Sequence, residues 1–401
     1  MYFYLIIFLF IAICSLYEIN QYPKRNKSLI GIIIFLLFLV SGFKYETGVD
    51  WFAYEYLIDN SYPIDKAFVN GRWDLVFPTL DVGYSFLNSL IKSLGGGIQI
   101  LIFISSLVSI GLLKKNVEKY SPLPIFSLLV YYTFFFFIFD LSGLRQGLAI
   151  QLFFFSLRYL EKKNFLKYIL TILLATSVHW TSILLVPMYF ILNRKASIRN
   201  VVIVIIISTI VFSFQIKWLG VVMGDVLNQI NGFTLLAGKV SAYTTNDVFA
   251  QNRGWNTYSF YVYIKIILLV ILTYQKRNTI IKKEKSQYFN IFFNLSLAQF
   301  FCIFTFYEFY EMSERFKFYF LISEVILFPW LIVSFYYRYQ KQITLCMCTI
   351  FIFFNSYIYF LEFPTAIAYT PYQNYIIYKM LDKKSTGYER LQEHIRLNSD
   401  E

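Results

Sequence analysis

Apolar stretches close to span length recur from residue 2 to residue 360, and short runs of Lys and Arg separate them. An apolar helix needs roughly 17–25 residues to cross about 30 Å of hydrocarbon. Spans are therefore placed near 2–17, 29–43, 98–113, 122–139, 144–160, 200–218, 258–274, 287–307, 315–337 and 342–360, with 165–192 set apart. Composition agrees, since 58% of the 401 residues are hydrophobic and 21% aromatic. These features predict an all-α polytopic integral membrane protein with about 11–13 transmembrane helices, short hairpin helices included. Residues 1–375 read as one transmembrane helical domain with outer loops at 44–97 and 219–257, and 376–401 as a polar C-terminal tail.

The net charge of +12 sits in connectors between apolar stretches. Membrane topology produces that distribution, and a nucleic-acid-binding face does not, so nucleic acid is excluded as a partner and membrane lipid is implied. Cys14, Cys302, Cys346 and Cys348 lie inside apolar stretches and read as small core residues, with neither a disulfide framework nor a metal site indicated. The first stretch, "MYFYLIIFLFIAICSLY", has no basic start and no small-residue cleavage site, so it reads as a first span.

Basic connectors orient the chain. "QYPKRNKS" (21–28), "KKNVEK" (114–119), "RYLEKKNFLK" (158–167), "NRKASIR" (193–199), "QKRNTIIKKEKS" (275–286) and "RYQKQ" (338–342) are assigned to the cytoplasm, which turns 44–97, 140–143, 219–257 and 308–314 outward. Residues 168–192 are flanked on both sides by cytoplasmic runs, yet they supply about one span. A single crossing breaks the pattern. A hairpin of two short helices turning near His179 preserves it and lifts the imidazole to the outer boundary. The alternative is one long tilted span with His179 bonded to a neighbouring helix.

Unusual polar groups then collect on the outer side. Asp50 follows Gly48 just after the second span, where Gly permits a tight turn, and reads either as a functional acid or as a helix cap or solvated loop residue. Arg145 and Gln146 open a helix after Asp140, Ser142 and Gly143 have broken the preceding one. A cation beside an aromatic run costs roughly 2.5–3.5 kcal/mol at the bilayer centre, and Arg145 sits at the wrong helix end for the dipole, so an anionic partner is expected. Glu308, Glu311 and Arg315 share a helical face at i, i+3 and i+7, with Glu311 and Arg315 in ion-pair order. Arg253 precedes the next span and reads as an interfacial anchor or a ligand contact. Tyr372 lies in an aromatic, Pro-containing segment after the last span, and "FFFF" (134–137) reads as lipid-facing or packed.

These elements carry a resemblance. "TGVDWFAY", the block "LSGLRQGLAIQLFFFSLRYLEKKNFLKYILTILLATSVHWTSILLVP" (141–187), "SERFKFYF" and "YTPYQNY" together resemble the EpsG/Wzy family of oligosaccharide repeat-unit polymerases. The resemblance implies a GT-C-like helical architecture in the bacterial cytoplasmic membrane. It also implies a glycosyltransferase whose donor and acceptor are oligosaccharides on undecaprenyl pyrophosphate, used at the outer face, with a chain-length regulator as a further partner. No cofactor is implied. Absence of a Walker motif, a dinucleotide loop or a DxD pattern argues for a lipid-borne donor.

On that reading Arg145, Gln146, Arg315, Arg253 and Tyr372 are candidate substrate-binding residues, because guanidinium forks match phosphate oxygens. Asp50, His179 and Glu311 are candidate catalytic residues. Asp50 is favoured as base by analogy with GT-C enzymes, Glu311 is the alternative, and His179 is a donor or proton shuttle. Three rivals remain: an O-antigen ligase, an O-acyltransferase using a membrane-embedded His, and a lipid-linked sugar transporter.

Overall fold

The computed structural model describes residues 2–195, 197–218, 254–284, 288–308, 310–361 and 366–399. Arg253 lies outside the described residues, as do most of the 219–257 loop and the side chain of Glu311. The described residues are helical throughout their ordered elements, with one isolated bridge between Lys44 and Asn374. Five helices are apolar and long enough to cross a membrane: Tyr2–Gln21, Ile98–Tyr120, Thr257–Lys282, Tyr288–Thr305 and Ser313–Ser334. Shorter apolar helices accompany them, at Lys27–Gly42, Pro124–Asp140, Phe165–Val178, Trp180–Leu192 and Ile198–Ser213. The chain is an all-α polytopic membrane protein.

Several basic runs assigned to connectors are the ends of helices. Residues 114–119 close the Ile98–Tyr120 helix, and the Thr257–Glu284 helix runs through most of 275–286. Lys, Arg and Glu are good helix formers, and cations suit a helix C-terminus. The apolar length was legible while the helical length was not.

Two compact units emerge: Met1–Tyr189 with Phe328–Glu401, and Phe190–Leu327. In the first, Tyr2–Gln21 packs on Pro124–Tyr131, Lys27–Gly42 on Ile98–Tyr120, and Ile98–Tyr120 on Leu144–Glu161, which also packs along Phe165–Val178. Pro124 opens its helix at a position where a missing amide costs nothing. The next two amides, of Ile125 and Phe126, donate to the Glu18 carboxylate at 3.0 and 3.1 Å. A carboxylate from one helix thereby caps the positive end of another. Phe134, Phe135, Phe136 and Phe137 are all buried, which settles "FFFF" as packing, and the backbone from Tyr132 to Asp140 widens into a π-helical turn.

The Phe165–Val178 helix has 14 residues, about 21 Å at 1.5 Å per residue, too short to cross. Its chain reverses at His179 into a 3-10 helix, Trp180–Leu185. The Tyr168 hydroxyl donates to the carbonyl of Leu185 at 2.7 Å, and the rings of Tyr168 and Tyr189 are 5.3 Å apart. Residues 185–189 have thus returned beside 165–168, as the hairpin predicts. Beyond residue 375 the polar tail forms the Gly387–Ser399 helix, whose Arg390 donates to the carbonyls of Pro371 (3.0 Å) and Glu46 (2.9 Å).

In the second unit, Ile198–Ser213 packs on Tyr288–Thr305, which also packs on Thr257–Glu284. An ion pair joins Lys265 to Glu324 at 2.9 Å with both side chains almost wholly enclosed, and Gln299 donates to the same carboxylate at 2.8 Å.

Candidate functional site

The site begins where the backbone cannot continue as a helix. After the π-helical turn, residues 141–143 form a tight corner and Leu144–Glu161 starts a new helix. The segment following the second apolar helix is fastened onto this corner. Lys44 Nζ donates to the Asp140 carbonyl at 3.1 Å, and the Asp50 amide donates to Ser142 Oγ at 3.2 Å. Gly48 has φ +100°, and a Cβ there would fall on the Leu141 carbonyl oxygen. Only glycine allows the two segments to lie this close.

Fastening the segment places Asp50 beside the corner. Its Oδ2 lies 3.8 Å from the point a Cβ on Gly143 would occupy. Asp50 stands at the N-cap of Trp51–Asp59, yet its side chain makes no capping bond. The helix-cap alternative for this residue therefore fails, and its half-buried carboxylate is uncommitted. Tyr54, one turn on, is buried, and burial pushes its phenol up to about 12, Asp50 adding to the rise and Arg145 opposing it. Burial pulls the Lys44 ammonium down to about 7, against the attraction of Asp140 and Asp50.

Arg145 occupies the first turn of its helix. Its guanidinium carbon lies 5.8 Å from the ring centre of Tyr54 and 5.6 Å from that of Tyr84, within cation–π range. Nη1 donates to Asp81 Oδ2 at 2.7 Å. The other oxygen, Oδ1, accepts from the backbone amide of Trp180 at 2.8 Å. Asp81 is the anionic partner that Arg145 required. Its side chain is 6% exposed while that of Arg145 is 34% exposed, so the carboxylate lies deep and the cation faces outward from it. Gly83 assists, because a side chain there would collide with Ser177 at the end of the Phe165–Val178 helix.

One unit thus holds Asp50, Arg145 and the turn at His179, three elements read from the sequence, and Asp81, which the sequence reading missed, joins the last two. Asp81 precedes an apolar helix and so looks like an ordinary cap. The signal that could have found it was the expected partner for Arg145, sought among the acids of residues 44–97. Tyr54 and Tyr84 were also overlooked, since aromatic residues abound in this chain. Gln146 is partly buried beside Arg145, and His179 is buried. Tyr372 is in the same unit, but its hydroxyl donates to the Val40 carbonyl at 3.0 Å and its ring stacks on Phe3 at 4.6 Å. Arg315 belongs to the second unit and is exposed, and on its helix Lys317 pairs with Glu314. Among the described residues no group of three or more His, Cys, Asp or Glu is arranged to hold a metal ion.

No curated protein and no solved structure matches the chain. The EpsG family model matches residues 27–374, a segment that contains the fastened loop, the corner, Asp81, Arg145 and the His179 turn. The chain is a polysaccharide-polymerase-like membrane protein and belongs to the EpsG family of Wzy-like polymerases.

Proposed function

We propose that the chain transfers a growing glycan from undecaprenyl pyrophosphate onto the next lipid-linked repeat unit, at the outer face of the bacterial cytoplasmic membrane. The observation that carries this reading is the state of Arg145. It combines a guanidinium with a helix N-terminus, it stands on two tyrosine rings and one deep carboxylate, and about a third of its side chain is open. Such an arrangement suits a polyanion arriving from outside.

In this mechanism the acceptor hydroxyl oxygen attacks the anomeric carbon of the donor while the bond to the diphosphate oxygen breaks. The hydroxyl proton passes to the Asp50 carboxylate, and the bonding electron pair leaves on the diphosphate, where Arg145 meets the developing charge. Configuration at the anomeric carbon inverts. Gln146 and the His179 turn flank the diphosphate, Arg315 is a candidate second diphosphate contact, Arg253 is a further candidate substrate contact, and Glu311 is the alternative base.

The test uses purified protein and lipid-linked repeat units extracted from cells lacking this chain. Asp50→Asn is expected to lower polymer formed per folded protein by about 100-fold or more with folded yield unchanged. Retained turnover in Asp50→Asn with loss in Glu311→Gln moves the base to Glu311, and loss in neither removes the carboxylate base altogether. The outward assignment has its own test. The Trp180 side chain is exposed, so Trp180→Cys in a Cys-free background should react with an impermeant thiol reagent in intact spheroplasts, and labelling only after lysis reverses the topology.

A further inference from the structure

We infer that Asp81 is a positioning residue for the reaction: its single carboxylate fixes the Arg145 guanidinium and the His179 turn relative to one another. The inference rests on the reading of Arg145 given above and adds the group that holds it. Asp81 stands at the N-cap of Val82–Ser93, where an Asp side chain ordinarily accepts from the first amides of its own helix. Here it makes no such bond. Both oxygens instead reach partners distant in sequence, Arg145 at 2.7 Å and the Trp180 amide at 2.8 Å.

Local structure supports this orientation. The Thr79 and Ser85 hydroxyls are bonded to each other at 3.1 Å across the start of the helix. The absent side chain of Gly83 lets that start close on Ser177, two residues before His179. Asp81 meets Arg145 end-on through Nη1 rather than across the two-nitrogen fork. The Tyr54 hydroxyl is a second hydrogen-bond partner of the guanidinium, so two protein groups set its direction while about a third of the side chain stays open to an anion. The carboxylate is almost wholly buried while the cation it holds stays about a third exposed.

Charge alone and position give opposite signs, which makes the inference testable. A negative carboxylate behind a diphosphate site repels the diphosphate. If Asp81 contributed charge only, Asp81→Asn would tighten donor binding and preserve turnover. If Asp81 positions Arg145, the same variant keeps an acceptor for the Trp180 amide but releases the guanidinium, and misplacement by about 1 Å costs about 100-fold in rate.

The experiment measures kcat and KM for extracted lipid-linked repeat units with wild-type, Asp81→Asn and Asp81→Glu proteins, each normalised to folded protein. We expect kcat to fall about 100-fold in Asp81→Asn with KM for the lipid-linked donor unchanged or lower, and Asp81→Glu to recover only part of it. Unchanged kcat in Asp81→Asn overturns the positioning role while leaving the proposed polymerase reading in place. Absence of polymer from folded wild-type protein overturns that reading and this inference together. If Asp81→Asn does not fold, Arg145→Ala replaces it as the test, with guanidinium ion added. Saturable restoration of turnover by guanidinium at tens of millimolar, a concentration at which wild-type turnover is unaffected, shows Asp81 holding the ion in the vacated place. Folded Arg145→Ala that guanidinium does not restore overturns the inference.

Discussion

The two units each bury a carboxylate against a cation, and they do so in opposite ways. Lys265 and Glu324 sit within long helices, 3% and 0% exposed, with Gln299 adding a bond to the carboxylate. Asp81 and Arg145 sit at the starts of helices, 6% and 34% exposed, with two aromatic rings and a backbone amide as their neighbours. The first pair is closed on every side and serves to fix helices against one another. The second is closed on one side only, and its open member can meet something that is not protein. A buried ion pair contributes little net stability over an apolar pair of the same shape, whereas a half-buried one offers a ready receptor for charge. Exposure of the cation, more than the presence of a pair, separates framework from site.

Breaking the closed pair should have the largest effect. Glu324→Ala leaves Lys265 enclosed without its carboxylate, a loss of about 3–5 kcal/mol, read as a collapse of folded yield in detergent. Glu324→Ala combined with Lys265→Met should recover most of that yield, because an apolar replacement of both partners is close to neutral. A Glu324→Ala protein as stable as wild type would erase the distinction drawn between the two pairs.

The open pair should respond in rate and not in yield. Arg145→Lys keeps the charge but loses the planar fork, and we expect polymer per folded protein to fall by about 10- to 100-fold with folded yield near wild type. Polymer lengths collapsing toward single repeat units would sharpen the comparison. Wild-type polymer from Arg145→Lys would reduce Arg145 to an anchor.

Lys44 offers the most graded test, because it is a buried cation whose nitrogen meets a backbone carbonyl. Its ammonium is pulled down to about 7 by burial, against about 10.4 in an unfolded chain. Between those values the unfolded state binds more protons, so stability rises as pH climbs through the window, by at most about 1.4 kcal/mol per pH unit. Below pH 7 both states are charged and the contribution is flat. Lys44→Met should remove the slope, measured as thermal unfolding in detergent between pH 7 and pH 9. An unaltered slope would mean that another group titrates.

Much of the framework was legible because hydrocarbon imposes a length on every apolar helix. The apolar stretches near 29–43 and 144–160 became the helices Lys27–Gly42 and Leu144–Glu161, although neither is among the five helices long and apolar enough to cross, and the turn at His179 followed from the charges on either side of it. Arg145 was legible as a cation that needed a partner. Asp81 was not legible as that partner, since it lies 64 residues from Arg145 and 99 from Trp180 and nothing local marks such a pairing. Lys265 and Glu324 were absorbed into apolar stretches, where a single charge hardly alters the average. The close approach of Gly48 to Leu141 was foreseen only as a turn, because a sequence shows which residue lacks a side chain but not what stands in the space.

The carboxylate of Glu18 has a consequence for the smallest working form of the enzyme. The EpsG family match begins at residue 27, which leaves Tyr2–Gln21 outside it. Yet that helix supplies the acceptor for the amides of Ile125 and Phe126, and Tyr4 both donates to the Tyr369 carbonyl and accepts from the Tyr132 hydroxyl. A protein trimmed to the family boundary would carry those two amide protons and a tyrosine hydroxyl into its interior with nothing to receive them. The helix that lies before the matched segment is therefore a structural part of the protein's core.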